Sequence, residues 1–478
     1  MQGQNRMTVM MKCQKFFYET RPTERAIAKG ENRMLPLRGR SPASGERVMS
    51  IVNSFSHHFQ SYRHDVTEKA RQYAFGLMQA GTRKNMERMQ AFVPDCKSRN
   101  LQQFLTHSKW EARSVIDHVA QNADALIGDA QRTGLLIDES GFVKQGSMSV
   151  GVSRQWLGRL GRVDNGQVAV FGVLAKDRFA IPVDVRLHLP RDWTDDPARC
   201  EKAGIPEAER VFRTKEQLAI ELVSHARQSR LRYGWVGADA GNYNGPRFCI
   251  ELDRMGEPFV VDLHSGFQVY LDDPRPYFSE PTSRRNRNFA CYRTDATSLE
   301  AKALVDRMGL GDKPAFKLRD TTRGPLTVRA LRIPVYVWDG ESSQAIRCFL
   351  LATRTVGSIL QTKISLCNAP ETMALETLAW RQLQRCWVER ALEDAKSECG
   401  MADYQVRKWS AWHHHMALVM MTMFFVLNER IRHKNTSPLL SCSDIEEMLS
   451  RFLPRHDVSE SKTIHHLEQC HRRRFCAM

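Results

Sequence analysis

The sequence has few of the features that mark metal-stapled, secreted or membrane-embedded proteins. Its 12 cysteines include no Cys-x-x-Cys pair, which argues against a zinc ribbon, so we expect reduced thiols in a cytosolic chain. Residues 1–50 lack the apolar core of a signal peptide. The longest predominantly apolar run, Met416–Leu427, is too short to span a bilayer and fits a buried core helix better. No internal repeat is visible.

Positive charge, by contrast, is in excess. The 478 residues include 70 Lys and Arg against 54 Asp and Glu, a formal net charge of +16. Such an excess indicates a polyanionic partner, usually nucleic acid, with a merely basic soluble protein as the alternative. The 42% hydrophobic content supports a real core, and the length allows two or three domains.

Changes in periodicity predict an α/β protein made of six successive segments. Its helical region near the N-terminus suits DNA binding, although a helical packing domain explains the same pattern. The segments are a basic, flexible arm (1–50), a helical DNA-binding region (51–128), the first part of an α/β core (129–265), a β-rich insertion with a basic surface (266–367), a helical completion of the core (368–432) and a polar basic tail (433–478).

Three acidic residues, far apart in the sequence, are the candidate metal ligands. Asp138 and Asp239 each close a short apolar run of the kind that forms a buried strand, and Glu389 lies in a helical stretch. Two strand-end aspartates and a helix-borne glutamate can converge on one place. Three carboxylates there would bind divalent cations, and a paired-metal site activates water against a phosphodiester.

One face of the last predicted helix supports the assignment of Glu389. At roughly 100° per residue, Arg385, Glu389 and Lys396 fall within about 40° of one another. That face could hold a metal ligand between two cations that bind backbone phosphates, with ordinary helix ion pairing as the alternative. Glu393, one turn further on, is the alternative ligand.

Further candidates for DNA contact lie in the predicted β-rich insertion. Arg284, Arg285 and Arg287 are expected to meet phosphates, with a solvated loop as the alternative. Trp338 could stack on an unstacked base near the cut, with a core aromatic as the alternative. The consecutive residues His413–His415 cannot all bind one ion from a regular helix, because their side chains point about 100° apart.

Taken together, these residues resemble cut-and-paste DDE transposases of bacterial insertion sequences. In that group the last glutamate lies in a helix signature of Tyr, two residues, Arg, three residues, Glu, six residues and Lys. Arg385, Glu389 and Lys396 stand at those spacings, and Gln382 occupies the Tyr position. LLIDESG around Asp138 and WVGADAGNY around Asp239 look like the first two acidic motifs. The phrases SVGVSRQWLGRLGRVDNGQVAVF, DWTDDPARCEKAGIP and WHHHMALVMM extend the resemblance over about residues 51–435.

The resemblance implies a fold and a reaction. The expected fold is an RNase H-like catalytic core with a β-rich insertion and a helical N-terminal DNA-binding region. Asp138, Asp239 and Glu389 would be catalytic and would hold two Mg²⁺ (or Mn²⁺) ions, with Asp138 ligating both and the others one each. The expected partners are double-stranded DNA, as terminal inverted repeats and target, and further copies of the chain in a homodimer or higher assembly. The expected location is the bacterial cytoplasm, at the nucleoid, with no membrane partner.

Two other functions remain compatible with the sequence. One is a catalytically inactive, transposase-derived DNA-binding regulator: retention of all three carboxylates argues against it, while Gln382 at the Tyr position leaves it open. The other is an RNase H-like nuclease that hydrolyses DNA without joining strands. An assay for joined DNA strands separates this nuclease from a transposase.

Overall fold

A computed structural model describes most of the chain. The described residues are 42–455 without 62–63, 80, 82, 240–242, 244, 280–290, 322–323 and 358–361, together with 464, 468 and 471–472. Arg284, Arg285 and Arg287 lie outside them, so their predicted contact with phosphates is outside the described structure.

Short helices form the N-terminal region. They are α1 (Pro42–Ser54), α2 (Thr67–Gln79), α3 (Met86–Phe92), α4 (Ser98–His107) and α5 (Ala112–Ile127), with a two-stranded ribbon of β1 (Gln60–Ser61) and β2 (His64–Asp65) between the first two. α1 begins inside the segment 1–50 that we predicted as a flexible arm. α5 begins at Ala112, shortly after buried Trp110, whose ring stacks on that of Phe104 in α4.

A mixed sheet forms the centre of the molecule. Its five core strands stand in the order β6-β5-β3-β7-β8. β5 is antiparallel to β3 and β6, whereas β7 is parallel to β3 and β8. Their bounds, with that of the additional edge strand β4, are β3 (Gly134–Val143), β4 (Ser153–Leu157), β5 (Arg162–Lys176), β6 (Phe179–Leu187), β7 (Trp235–Ala238) and β8 (Phe259–Asp262).

Helices connect the parallel strands across the sheet. α6 (Arg191–Thr194), α7 (Pro197–Ala203) and α8 (Lys215–Gln228) lead from β6 to β7, and α9 (Pro246–Arg254) leads from β7 to β8. α8 begins where Thr214 and Gln217 form a capping box, which satisfies two backbone N–H groups of its first turn. This mixed sheet with crossover helices is the RNase H-like core, as the sequence predicted.

Strands of the predicted insertion widen the same sheet. After β8 come β9 (Gln268–Val269), β10 (Tyr277–Ser279), β11 (Cys291–Arg293), β12 (Leu299–Glu300), α10 (Ala301–Met308), β13 (Ala315–Thr321), β14 (Gly324–Val337), β15 (Ile346–Thr355) and β16 (Lys363–Cys367). The last four add to the edge of β8 in the order β13-β14-β15-β16-β8, all antiparallel. Four strands of this segment therefore continue the core sheet.

Helices complete the fold at the C-terminal end. They are α11 (Leu375–Gln384), α12 (Cys386–Ser397), α13 (Trp409–Arg432) and α14 (Cys442–Phe452). Residues Met416–Leu427 of α13 are all buried, as their apolar character predicts. One continuous apolar core runs from Val48 to Leu453, so the N-terminal helices and the sheet share it. Among the described residues no helix is both long and apolar enough to cross a membrane.

Candidate active site

The strand register brings aspartates from three adjacent strands to one level of the sheet. Ile137 of β3 pairs with Ala238 of β7, and Ala238 pairs with Val261 of β8. The following residues, Asp138, Asp239 and Asp262, therefore stand side by side, at the spacing of about 4.8 Å between neighbouring strands. Our prediction that Asp138 ends its strand is wrong. β3 continues for five more residues because β5 pairs with all of them.

Arg385 connects this row to the helix that carries Glu389. Its Nε donates to Asp262 Oδ2 at 2.7 Å, and its Nη2 lies 2.9 Å from Glu389 Oε1. Nη1 lies 3.8 Å from Asp239 Oδ2 and makes no hydrogen bond within the described residues. Carboxylates from distant parts of the chain thus surround the guanidinium of Arg385. The Arg385 side chain is 13% exposed.

The contacts of Arg385 distinguish Glu389 from Glu393. Glu389 contacts Arg385, and its negative charge acts on Asp138. The side chain of Glu389 is 42% exposed and can rotate. The carboxylate oxygens of Asp138, Asp239 and Glu389 do not all lie within 4.8 Å of one another. The Arg385 guanidinium stands between those of Asp239 and Glu389. Ligation of one ion by all three therefore requires a rotation of the Glu389 side chain.

A network of hydrogen-bonded polar side chains extends from Arg385 through Asp262. The Ser365 hydroxyl donates to Asp262 Oδ1 and accepts from Gln382 Nε2, both at 2.6 Å. Gln382 in turn accepts a hydrogen bond from the Thr353 hydroxyl. Gln382 occupies the position of the family tyrosine, and here its amide links α11 to β15 and β16. We call Asp262, Ser365 and Gln382 the Arg385 support.

The electrostatics of the site favour a bound cation. Burial, and then the charges of Asp239 and Glu389, raise the pKa of Asp138 well above its ordinary value, although Arg385 opposes this. Burial disfavours the charge on Arg385, but the surrounding carboxylates more than offset it and raise the pKa of Arg385. A half-buried carboxyl between two like charges, with oxygen donors only, matches the ligand preference of Mg²⁺ or Mn²⁺. The residues therefore fit divalent ions.

Lys396 contacts β3 close to Asp138. Its ammonium donates to the carbonyl of Gly141 on β3 at 3.3 Å and lies 5.3 Å from the centre of the Phe142 ring. Burial lowers the pKa of Lys396 to about 8, and the charge of Asp138 opposes that shift. The predicted cation is thus close to the carboxylates, but its present hydrogen bond is to protein backbone.

Trp338 is not brought to this site. Three successive antiparallel pairings separate β14 from β8, so the two strands run in opposite directions. Trp338 follows the end of β14 and lies where β8 begins, whereas Asp262 is where β8 ends. Its indole N–H donates to the carbonyl of Ser342 at 2.7 Å. Stacking on a base near the cut is therefore not supported by its position.

The three consecutive histidines of α13 have separate partners. His413 contacts the carbonyl of Trp409, His414 the carbonyls of Leu105 and Trp110, and His415 the carbonyl of Met401. These backbone contacts pack α13 against its surroundings.

Sequence reasoning missed two residues of the site. Asp262 ends the apolar run PFVVD in the same way as the predicted aspartates, and this signal could have found it. Tyr243, whose hydroxyl is buried without a hydrogen bond to the described residues, experiences the charges of Glu139, Asp138 and Asp239. No local pattern distinguishes Tyr243 from a core aromatic.

Comparisons with known proteins identify the family of the chain. A family described as DDE superfamily endonuclease matches residues 54–325. A probable transposase for insertion sequence element IS701 of Microchaete diplosiphon is 25% identical over 239 residues. That alignment covers 48% of this chain, and the chain spans 58% of the length of that relative. Both matches confirm the resemblance that the acidic motifs indicated. The chain therefore belongs to the DDE superfamily of endonucleases.

Proposed function

We propose that this protein is a metal-dependent DNA transposase, which binds the terminal inverted repeats of a mobile element and cuts and joins DNA. The observation that carries the proposal is the convergence on Arg385. Asp239 and Glu389 both approach its guanidinium, and Asp138 is adjacent through the strand register. Residues that are 100 or more positions apart in the sequence therefore lie around one guanidinium, and a group of carboxylates is what paired metal ions acting on a phosphodiester require.

The three carboxylates are the proposed metal ligands. Asp138, on β3, the middle one of the five core strands, would ligate both ions, with Asp239 and Glu389 holding one each. Two Mg²⁺ or Mn²⁺ ions so held would supply an activated water and stabilisation of the leaving 3′ oxygen. The rigidity of β3 and β7 fixes two of the ligands, and the exposed helix side chain of Glu389 supplies the third.

Arg385 and Lys396 are the proposed phosphate-binding residues. The free Nη1 donor of Arg385 points among the carboxylates, where a non-bridging phosphate oxygen could accept from it. Asp262 holds Nε on the opposite side, so the guanidinium is oriented before DNA arrives. Lys396 contacts β3 close to Asp138 and would donate to a neighbouring phosphate oxygen in place of the Gly141 carbonyl.

The proposed partners follow from the reaction. Terminal inverted repeats and target DNA are both double-stranded, and the net charge of +16 favours binding to them. Joining two ends requires at least two copies of the chain, so we propose a homodimer or higher assembly on paired ends. We propose that the protein acts on DNA at the bacterial nucleoid.

The test is cleavage and joining of a labelled duplex that carries the end of the element, with and without Mg²⁺. Metal-dependent nicking followed by joined products is expected. Nicking without joining would favour an RNase H-like nuclease. Binding without either product in the parent protein would favour a DNA-binding regulator. Asp239→Asn should abolish both products while DNA binding is retained, and cleavage that survives this change would contradict the proposal.

A further inference from the structure

A group of side chains of a metal-ligating type lies in the N-terminal helical region. His57 and His58 belong to the single 3₁₀ turn Ser56–His58 that follows α1, and His118 lies in α5. His58 Nε2 and His118 Nδ1 are 3.0 Å apart. One ring nitrogen from each of the three histidines lies within 4.8 Å of those from the other two.

These separations suit one tetrahedral ion. Zn²⁺ binds imidazole nitrogen at about 2.0–2.1 Å, so the nitrogens around it stand about 3.4 Å apart. The pair His58 and His118 is already near that separation. The ring of His57 lies 3.9 Å from that of His58 and 5.3 Å from that of His118, centre to centre, so ring rotations suffice to bring its nitrogen in.

The surroundings also suit an ion. The buried ring of Phe55 lies 4.2 Å from the His118 ring and packs against Phe424, which gives the cluster an apolar floor. His57 is exposed and leaves an entry path and a fourth coordination position for water. Neutral imidazole is the form that binds metals.

We propose that His57, His58 and His118 bind one Zn²⁺ ion, which ties the turn after α1 to α5. The site is independent of the proposed transposase function, because its donors are nitrogens only. Mg²⁺ and Mn²⁺ prefer oxygen ligands, whereas imidazole suits Zn²⁺, Co²⁺, Ni²⁺ and Cu²⁺. The alternative is a His58–His118 hydrogen bond with no affinity for metal.

The test is titration of the full chain with ZnCl₂ by calorimetry, in excess Mg²⁺ so that oxygen sites are occupied. One Zn²⁺ per chain is expected. Co²⁺ in its place should give a visible d–d band without the near-ultraviolet charge-transfer band of a thiolate ligand, which excludes binding by cysteines. The same titration gives the dissociation constant for each variant.

Variants make the result specific to these histidines. Loss of an outer-shell partner of a metal ligand weakens binding about 10–100-fold, so His118→Gln and His57→Gln, which remove a ligand, should each weaken it at least tenfold. His57 is exposed, so His57→Gln keeps the test valid if His118→Gln fails to fold. The matched control is His107→Gln, an exposed histidine in α4, which should bind Zn²⁺ as the parent does. The proposal is overturned if the parent binds no Zn²⁺ under these conditions, or if His57→Gln binds it as tightly as the parent.

Discussion

The Arg385 support makes a quantitative prediction for Ser365→Ala. The Ser365 side chain is fully buried, donates to Asp262 Oδ1 and accepts from Gln382 Nε2. Removing its hydroxyl leaves two buried polar atoms without that partner, and each such loss costs about 1–3 kcal/mol. Asp262 keeps Arg385, and Gln382 keeps a weak contact of 3.5 Å with the Leu351 carbonyl. We expect the free energy of unfolding to fall by about 2–4 kcal/mol.

The same change should slow cleavage more than it weakens DNA binding. With Ser365 absent, Asp262 has lost one of its two anchors, so the Nε of Arg385 is held less firmly. A misplacement of about 1 Å can cost about 100-fold in rate. We expect the single-turnover cleavage rate to fall by roughly 10–100-fold, while affinity for the end duplex stays near that of the parent.

Urea unfolding followed by tryptophan fluorescence, together with single-turnover cleavage, measures both effects. The control is Ser397→Ala. The exposed Ser397 hydroxyl donates to the Glu393 carbonyl of its own helix, and its removal should change stability by less than about 0.5 kcal/mol. A double-mutant cycle with Asp262→Asn should show a coupling of about 0.5–3 kcal/mol. Parent-like stability and cleavage in Ser365→Ala, or an additive cycle, would refute the role of the support.

Further predictions concern the third ligand and the effect of pH. Glu389→Gln should reduce metal-dependent cleavage by about 1,000-fold or more, equivalent to about 4 kcal/mol of transition-state stabilisation, whereas Glu393→Gln should stay within a few-fold of the parent in the same assay. Burial lowers the pKa of His415 to about 3, compared with about 6.5 in the unfolded chain. The contribution of neutral His415 to the free energy of unfolding is therefore complete above pH 6.5. That contribution is lost as pH falls toward 3, at up to about 1.4 kcal/mol per pH unit, and urea midpoints from pH 7 to 5 should show a shallower slope in His415→Gln. Because the pKa of Asp138 is raised, acidification should weaken Mn²⁺ binding with release of a proton on binding, and calorimetry in buffers of different ionisation enthalpy should detect that proton.

Local sequence patterns were sufficient to predict those parts of the site that are formed by residues close together in the sequence. The apolar run before Asp239 is β7, which ends at Ala238, so a strand followed by an aspartate was predictable. Glu389 and Arg385 were predictable as neighbours because a separation of four residues places side chains on one helical face. The apolar residues of α13 indicated its burial in the same way.

The remaining features depend on partners far away in the chain. Residues after Asp138 are partly polar, and only pairing with β5 keeps them in a strand. The first part of the segment 368–432, which was predicted to be helical, divides at Arg385 into two helices, since α11 packs on β8 and β14 whereas α12 packs on β3, β5 and β6. The role of Asp262 requires the register between β8 and β16, which no sequence window contains.

The most direct test of the central claim, that Asp138, Asp239 and Glu389 form one metal site, is Mn²⁺ binding measured by electron paramagnetic resonance in the presence of the end duplex. Asp138→Asn, Asp239→Asn and Glu389→Gln should each weaken Mn²⁺ binding, and Glu393→Gln should leave it unchanged. Parent-like Mn²⁺ affinity in both Asp239→Asn and Glu389→Gln, or a loss of affinity caused by Glu393→Gln instead, would contradict the account.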